Sequence, residues 1–194
     1  MLELSRAMHI VIDMQRLFAD HPDWAVKDIG RIRKEVQWMA EHKPGRTFWT
    51  RFIPAQNAEA AQGSWRRYYE TWPTATLDGG GGDYVDLLIE HRTLAGKGAV
   101  FDKPGFSAFT NEKFGAALQS AGIETVILSG VETDVCVWAT ALDAVDAGLF
   151  VVLARDALTS GSPEGHQATL EVIAPRFASQ VAVMNHVELE AAWK

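Results

Sequence analysis

The chain has 194 residues, the size of one ordinary domain, and its 47% hydrophobic and 22% charged fractions are those of a globular protein. This composition excludes intrinsically disordered and fibrous classes. Lys and Arg total 18 against 25 Asp and Glu, a net charge of −7, and the sequence has no long basic run. We therefore expect no nucleic-acid partner.

Apolar runs of strand length alternate with amphipathic stretches of helical length along the chain. This pattern predicts strands at residues 9–14, 46–52, 98–103, 125–130, 149–155 and 180–184. It predicts helices at residues 26–42, 83–91, 111–121, 134–147 and 163–173, and leaves 53–82 irregular. Six strands alternating with helices predict an α/β fold in which helices cover both faces of a parallel sheet.

The longest apolar runs have the length of strands, so we expect no contact with a membrane. No apolar region typical of a signal peptide precedes the first predicted strand, and we expect a cytoplasmic protein. Cys136 is the single cysteine, so neither an intrachain disulfide nor a cysteine-based zinc cluster can form.

Three predicted strands end in polar residues, at the edge of a parallel sheet where ligands bind. The first ends near Asp13, the third at Lys103, and the fourth leads to Cys136 in the first turn of a helix. A helix N-terminus and a nearby cation favour a thiolate, and a carboxylate can take the proton from a thiol. Taken singly, Cys136 also fits a buried core cysteine, Asp13 a cap or an ion-pair partner, and Lys103 a solvated turn.

Three segments carry a resemblance to a known family: HIVIDMQRLF (9–18), FDKPGFSAF (101–109) and GVETDVCVWATALDAVDAGLFVVLARDA (130–157). In them the chain resembles the isochorismatase-like cysteine hydrolases, which include nicotinamidases and N-carbamoylsarcosine amidohydrolase. The resemblance implies one domain over residues 1–194, with a three-layer, Rossmann-like α/β/α fold and strand order 3-2-1-4-5-6. It also implies an Asp13-Lys103-Cys136 triad, a cis peptide between Val131 and Glu132, and an oxyanion hole to which that peptide and the Cys136 N–H contribute.

The chain departs from two branches of this family. Nicotinamidases have Asp and His metal ligands after the second strand, whereas this sequence has no histidine between His42 and His91. We therefore expect no metal and no other cofactor. Isochorismatases cleave a vinyl ether without a thiol and usually lack a cysteine at the position of Cys136, so its presence favours hydrolysis of a C–N bond in a small amide, ureido or carbamoyl substrate.

Residues 53–82 form an aromatic and basic segment that includes WRRYYETW. We expect this segment either to close over the site as a lid or to form a subunit interface, and we expect a homodimer or homotetramer. A substrate carboxylate would meet Arg51 or Arg66, with Trp65 stacking on the substrate. The other candidate substrate-binding residues are Gln15, Phe18 and Phe106.

Two other functions remain open from the sequence. One is vinyl ether hydrolysis of the isochorismatase type. The other is a noncatalytic, oligomeric binding or redox-sensing protein that uses Cys136 only as an oxidisable thiol.

Overall fold

The computed structural model describes residues 4–96 and 99–194, and in these ranges six parallel strands form one sheet in the order β3-β2-β1-β4-β5-β6. The strands are β1 (Ala7–Ile12), β2 (Thr47–Phe52), β3 (Ala99–Lys103), β4 (Thr125–Gly130), β5 (Phe150–Leu158) and β6 (Val181–Met184). The predicted sheet and its strand order are confirmed. Gly98, the first residue of the third predicted strand, lies outside the described residues.

Helices cover both faces of the sheet. They are α1 (Ile29–His42), α2 (Ser64–Thr71), α3 (Ile89–Ala95), α4 (Phe114–Ser120), α5 (Trp138–Asp146), α6 (Pro163–Ala168) and α7 (His186–Ala192). Side chains alternate between the faces along β1: Val11 packs in the core with α1, α3 and α7, whereas Ile10 and Ile12 pack in the core with α4 and α5. The three-layer α/β/α architecture is thereby confirmed.

Two helices were not predicted. In α2, Trp65, Tyr68 and Tyr69 follow helical spacing and pack inward, so the stretch predicted as irregular contains an amphipathic helix. The second, α7, begins with a capping box in which Asn185 and Glu188 each accept a hydrogen bond from the other's backbone N–H.

Three predicted helices begin or continue differently. The helix predicted at 163–173 is α6 followed by a π-helical turn, Thr169–Ile173. The helix predicted at 83–91 is a 3₁₀ turn, Gly81–Tyr84, followed by α3. The helix predicted at 134–147 begins as a π-helical turn, Thr133–Val137, and continues as α5. Cys136 therefore lies in the π-helical turn rather than in a regular α-helix.

Gly130 lets the carboxyl ends of β1 and β4 approach each other closely. Its φ is 104°, and a Cβ at this position would lie 2.0 Å from the carbonyl oxygen of Ile12. The Val131 N–H donates to that same carbonyl. Glycine is thus required at this position, where the two central strands lie close together and lead into the site.

In the described part of the chain, no helix combines the length and the apolar character that a membrane crossing requires.

Candidate active site

Asp13, Lys103 and Cys136 meet at the carboxyl edge of the sheet. Asp13 follows β1, Lys103 is the last residue of β3, and Cys136 lies in the π-helical turn after β4. Lys103 Nζ is 2.7 Å from Asp13 Oδ2, and both side chains are fully buried. The thiol of Cys136 lies close enough to both side chains that Lys103 lowers its pKa and Asp13 raises it. Three distant parts of the sequence therefore form one cluster.

Thr50 of β2 fixes the Asp13 carboxylate. Its hydroxyl donates to Asp13 Oδ1 at 2.7 Å and lies 3.2 Å from the Asp13 N–H, which donates to it. Thr50 is itself fully buried. Asp13 has a φ of 51°, a left-handed conformation that Asp adopts more readily than most residues. The carboxylate is consequently held between β2 and the ammonium of Lys103.

Lys103 remains charged although its side chain is buried. Besides its ion pair with Asp13, its ammonium donates to the carbonyl oxygens of Gly105, at 3.0 Å, and Phe106, at 2.8 Å. Burial alone lowers the pKa of Lys103, but the neighbouring Asp13 and Cys136 raise it, and the net direction is upward. The site therefore contains a permanent positive charge beside the sulfur atom.

The pKa of Cys136 shifts in the direction opposite to the one that a helix N-terminus and a nearby cation predict. Burial raises the pKa of Cys136 above its ordinary value, and the negative charge of Asp13 raises it further. Lys103 lowers the pKa of the thiol, but by less than these two effects raise it. The raised pKa favours the protonated thiol at neutral pH, and a protonated thiol needs a base to become a nucleophile.

The chain between β4 and the π-helical turn contains a cis peptide bond between Val131 and Glu132. Thr133 anchors this segment, because its N–H and its hydroxyl both donate to the carbonyl oxygen of Thr159. The Glu132 carboxylate accepts a hydrogen bond of 2.7 Å from the Gly161 N–H. Backbone and side chain of Glu132 are thus both held next to Cys136.

A cavity of about 360 Å³ opens onto Cys136. Its walls are mainly aromatic, formed by Phe18, Trp24, Phe52, Tyr68, Trp72 and Phe106. Two acidic residues, Asp23 and Glu132, also line it. Burial raises the pKa of Tyr68 to about 12, so its hydroxyl is protonated and can donate a hydrogen bond at neutral pH. The volume fits a small ligand.

The predicted substrate-binding residues divide into two groups. Phe18 and Phe106 line the cavity, whereas Trp65, expected to stack on the substrate, does not line it and packs behind Phe106 with their ring centroids 4.8 Å apart. Gln15 does not line it, because its amide bonds to the backbone of Phe52 and Val85 and thereby ties β1 to neighbouring segments.

The two arginines expected to meet a substrate carboxylate also lie elsewhere. Arg51 forms a two-pronged ion pair with Asp102, at 2.7 and 2.8 Å, and a weaker one with Asp86. Arg66 is exposed on α2 and pairs with Glu70. Since neither guanidinium lines the cavity, neither arginine makes the expected contact with a substrate carboxylate there.

Sequence reasoning missed Thr50, Trp24 and Tyr68. The signal for Thr50 was a polar residue inside a buried apolar strand, and the signal for Tyr68 was the helical spacing of aromatic residues in α2. Trp24 lies in an irregular stretch between β1 and α1, where no periodic pattern marks it.

The segment 53–82 covers the site. Tyr68 of α2 lines the cavity and Tyr69 is almost fully buried, whereas Trp72, at the end of α2, is 37% exposed. Trp65 and Tyr68 pack against the core below. Most of the aromatic surface that favoured a subunit interface is therefore internal, and this position favours the lid interpretation.

Within residues 4–96 and 99–194, no group of three or more His, Cys, Asp or Glu side chains is arranged to hold a metal ion.

The comparisons with known proteins concern the family and the fold. The family model described as "Isochorismatase domain" matches residues 7–184. The chain is 33% identical over 114 residues to ureidoacrylate amidohydrolase RutB of Pseudomonas syringae pv. syringae, a match covering 59% of this chain but only 40% of that relative.

Two solved structures share the fold. A cysteine hydrolase from Pseudomonas syringae pv. phaseolicola superposes with a TM-score of 0.74 at 22% identity, covering 96% of this chain and 93% of the other. The nicotinamidase/pyrazinamidase PncA of Bacillus subtilis has a TM-score of 0.73 at 22% identity, covering 91% and 99%. These two likenesses concern the fold alone. Because the family model spans nearly the whole chain, the protein belongs to the isochorismatase domain family.

Proposed function

We propose that the protein is a cysteine amidohydrolase that cleaves a C–N bond of a small amide, ureido or carbamoyl substrate without a metal. The observation that carries this proposal is the buried pair of Lys103 and Asp13, 2.7 Å apart, next to a single thiol that faces a ligand-sized cavity. A base, a cation and a nucleophile are the groups that acyl transfer needs.

In the first half of the reaction, Asp13 takes the proton from the Cys136 thiol as sulfur attacks the acyl carbon. Lys103 stabilises the negative charge that develops on sulfur. The new C–S bond converts the carbonyl into a tetrahedral oxyanion, which accepts hydrogen bonds from backbone N–H groups at Glu132 and Cys136.

In the second half, Asp13 returns the proton to the leaving nitrogen, the C–N bond breaks, and an amine or ammonia departs. The remaining thioester is attacked by water, whose proton passes to Asp13. Breakdown of the second tetrahedral intermediate releases the acid or carbamate and returns the proton to Cys136. Asp13 thus serves alternately as base and acid.

The comparisons support the reaction class. The ureidoacrylate amidohydrolase relative is named for cleavage of a C–N bond, and the family model covers all three triad residues. The raised pKa of the thiol adds a further argument, because a thiol that is protonated at rest requires the base that Asp13 provides.

The test combines turnover and trapping. A panel of small amides, ureas and carbamoyl compounds is screened for release of ammonia or amine, and intact-protein mass spectrometry detects an acyl adduct on Cys136. We expect Cys136→Ser to fold normally and to lose covalent turnover by more than a hundredfold. Asp146→Asn, a substitution on the exposed end of α5, serves as the control.

Four outcomes would contradict the proposal. Near-wild-type turnover by Asp13→Asn would remove the base from the mechanism. Activity retained by Cys136→Ala would favour vinyl ether hydrolysis, and activity lost on chelation but restored by zinc, iron or manganese would show a metal enzyme. The absence of both turnover and adduct would favour the noncatalytic alternative.

A further inference from the structure

The charges that line the cavity next to Cys136 do not suit a substrate that carries a carboxylate. Of the described residues that line it, none is basic, and the charged ones are Asp23 and Glu132. Lys103 does not line this cavity, and its charge is balanced by Asp13. A ligand in the cavity therefore experiences a net negative field from its walls.

The aromatic walls reinforce this field. The ring centroids of Trp24 lie 5.8 Å from Tyr68 and 6.0 Å from Phe52, and that of Tyr68 lies 6.3 Å from Phe106, so the rings form a continuous wall. Aromatic faces carry partial negative charge and attract ammonium groups within about 6 Å. Rings and carboxylates together are the chemistry that recognises organic cations.

Asp23 is held in place at this wall. Its carboxylate accepts a hydrogen bond from the Thr74 hydroxyl, in the segment that follows α2. Glu132 is fixed from the other side by the Gly161 N–H. The two carboxylates therefore come from distant parts of the sequence. In the described part of the chain, neither residue forms an ion pair with a guanidinium or ammonium group.

From this arrangement we infer that the substrate is a small amide or ureido compound carrying an ammonium group, which the aromatic wall and the carboxylates of Asp23 and Glu132 bind while Cys136 attacks the acyl carbon. This inference rests on the proposed amidohydrolase function and adds a substrate class to it. It also means that the cavity rejects substrates bearing a carboxylate, because a further negative charge beside Asp23 and Glu132 is repelled.

The kinetic test uses three amides of similar length: 5-aminopentanamide, neutral hexanamide and anionic 4-carbamoylbutanoate. We expect kcat/KM for the cation to exceed that of the neutral amide about tenfold, with the anion below both. Asp23→Asn keeps an acceptor for Thr74 and should reduce the cation-to-neutral ratio about tenfold. Asp146→Asn removes the same charge outside the cavity and should leave that ratio unchanged.

A binding test separates this inference from the proposed function. In Cys136→Ser, which cannot form the acyl-enzyme, tetramethylammonium chloride should quench the fluorescence of Trp24 and Trp72, whereas sodium isobutyrate should not. If no amide is hydrolysed but the ammonium ion binds, the proposed function fails and the cation site stands. If isobutyrate binds as well as tetramethylammonium, or if the three amides react equally or the anion reacts best, the cation site is wrong and the hydrolase is unaffected.

Discussion

Thr50 is the residue that determines where the Asp13 carboxylate points. Its hydroxyl is buried and donates to Asp13 Oδ1, while the other oxygen faces Lys103. Because the hydroxyl comes from the strand between β1 and β3, the base of the proposed reaction is held by the sheet itself. The strength of this hydrogen bond should therefore affect both stability and turnover.

We predict that Thr50→Val destabilises the protein by about 1–3 kcal/mol, because the isosteric side chain leaves a buried carboxylate oxygen without its donor. Turnover should fall as well, since Asp13 is then free to rotate. Thr50→Ser retains the hydroxyl and should recover most of both losses. Urea unfolding and kcat are the measurements, and equal values for Val and Ser would contradict the assignment.

Lys103 and Cys136 are linked through charge. Lys103→Met keeps the volume of the side chain but removes the ammonium that lowers the pKa of the thiol. We expect the low-pH limb of the iodoacetamide alkylation rate to move upward in pH. The exposed Lys113→Met is the matched control, and an unshifted alkylation profile in Lys103→Met would show that the two groups do not interact.

At the scale of secondary-structure elements, the carboxyl ends of β1 and β4 form the framework of the site. Gly130 is needed there for two reasons, its positive φ and its closeness to the Ile12 carbonyl oxygen. The two reasons can be separated, because Gly45 also has a positive φ, 80°, but a Cβ there would have no neighbour within 4 Å.

We predict that Gly45→Ala costs about 1–2 kcal/mol, the backbone strain alone, whereas Gly130→Ala costs clearly more. The additional loss of stability in Gly130→Ala measures the free energy needed to move β1 away from β4. Thermal unfolding of both variants measures the difference. An equal loss at the two positions would show that the strands separate without cost.

The strands and their order were predictable because buried parallel strands leave long apolar runs, such as TVILSG in β4. The helix α2 was not predicted, because its composition is mostly polar. Its aromatic residues do follow helical spacing, but charged residues lie beside them; the aromatic residues are Trp65, Tyr68 and Tyr69, and the charged ones are Arg66, Arg67 and Glu70.

The three clustered residues at the sheet edge were predictable from the strand ends and the family resemblance. The acidic character of the cavity was not. It depends on Asp23, which no periodic pattern marks. It also depends on Arg51 and Arg66, which form ion pairs with carboxylates outside the cavity.

At the scale of the whole molecule, buried histidines connect stability to pH. His9 is completely buried in β1 and forms a 2.7 Å hydrogen bond with Ser129 of β4. Burial, and to a smaller extent the charge of His91, lower the pKa of His9 from 6.5 to about 3. Burial also lowers the pKa of His91. Both imidazoles are neutral in the folded protein at neutral pH.

We predict that the free energy of unfolding falls as the pH decreases below 6.5. In that range the unfolded chain binds a proton at His9 and the folded protein does not, so His9 contributes a loss of up to about 1.4 kcal/mol per pH unit until the pH approaches 3. His9→Gln should show a smaller slope between pH 6.5 and 5 in urea titrations. An unchanged slope would assign the acid sensitivity to other groups.

The oligomeric state is a separate prediction at this scale. We expect a homodimer or homotetramer, although most of the aromatic side chains of α2 are internal. Ile89 is 80% exposed and Val187 is 70% exposed, so apolar side chains remain outside the aromatic segment. Sedimentation velocity at micromolar concentration measures the mass, and a monomer would contradict the expectation.

The buried, protonated state of Cys136 has a consequence for oxidative damage. Peroxide reacts with thiolates far faster than with thiols, and it must also reach the sulfur atom. Because Cys136 is only 5% exposed and burial raises the pKa of its thiol, we expect sulfenic acid to form slowly between turnovers. In the proposed reaction the thiolate forms only when a substrate already occupies the space that an oxidant would need.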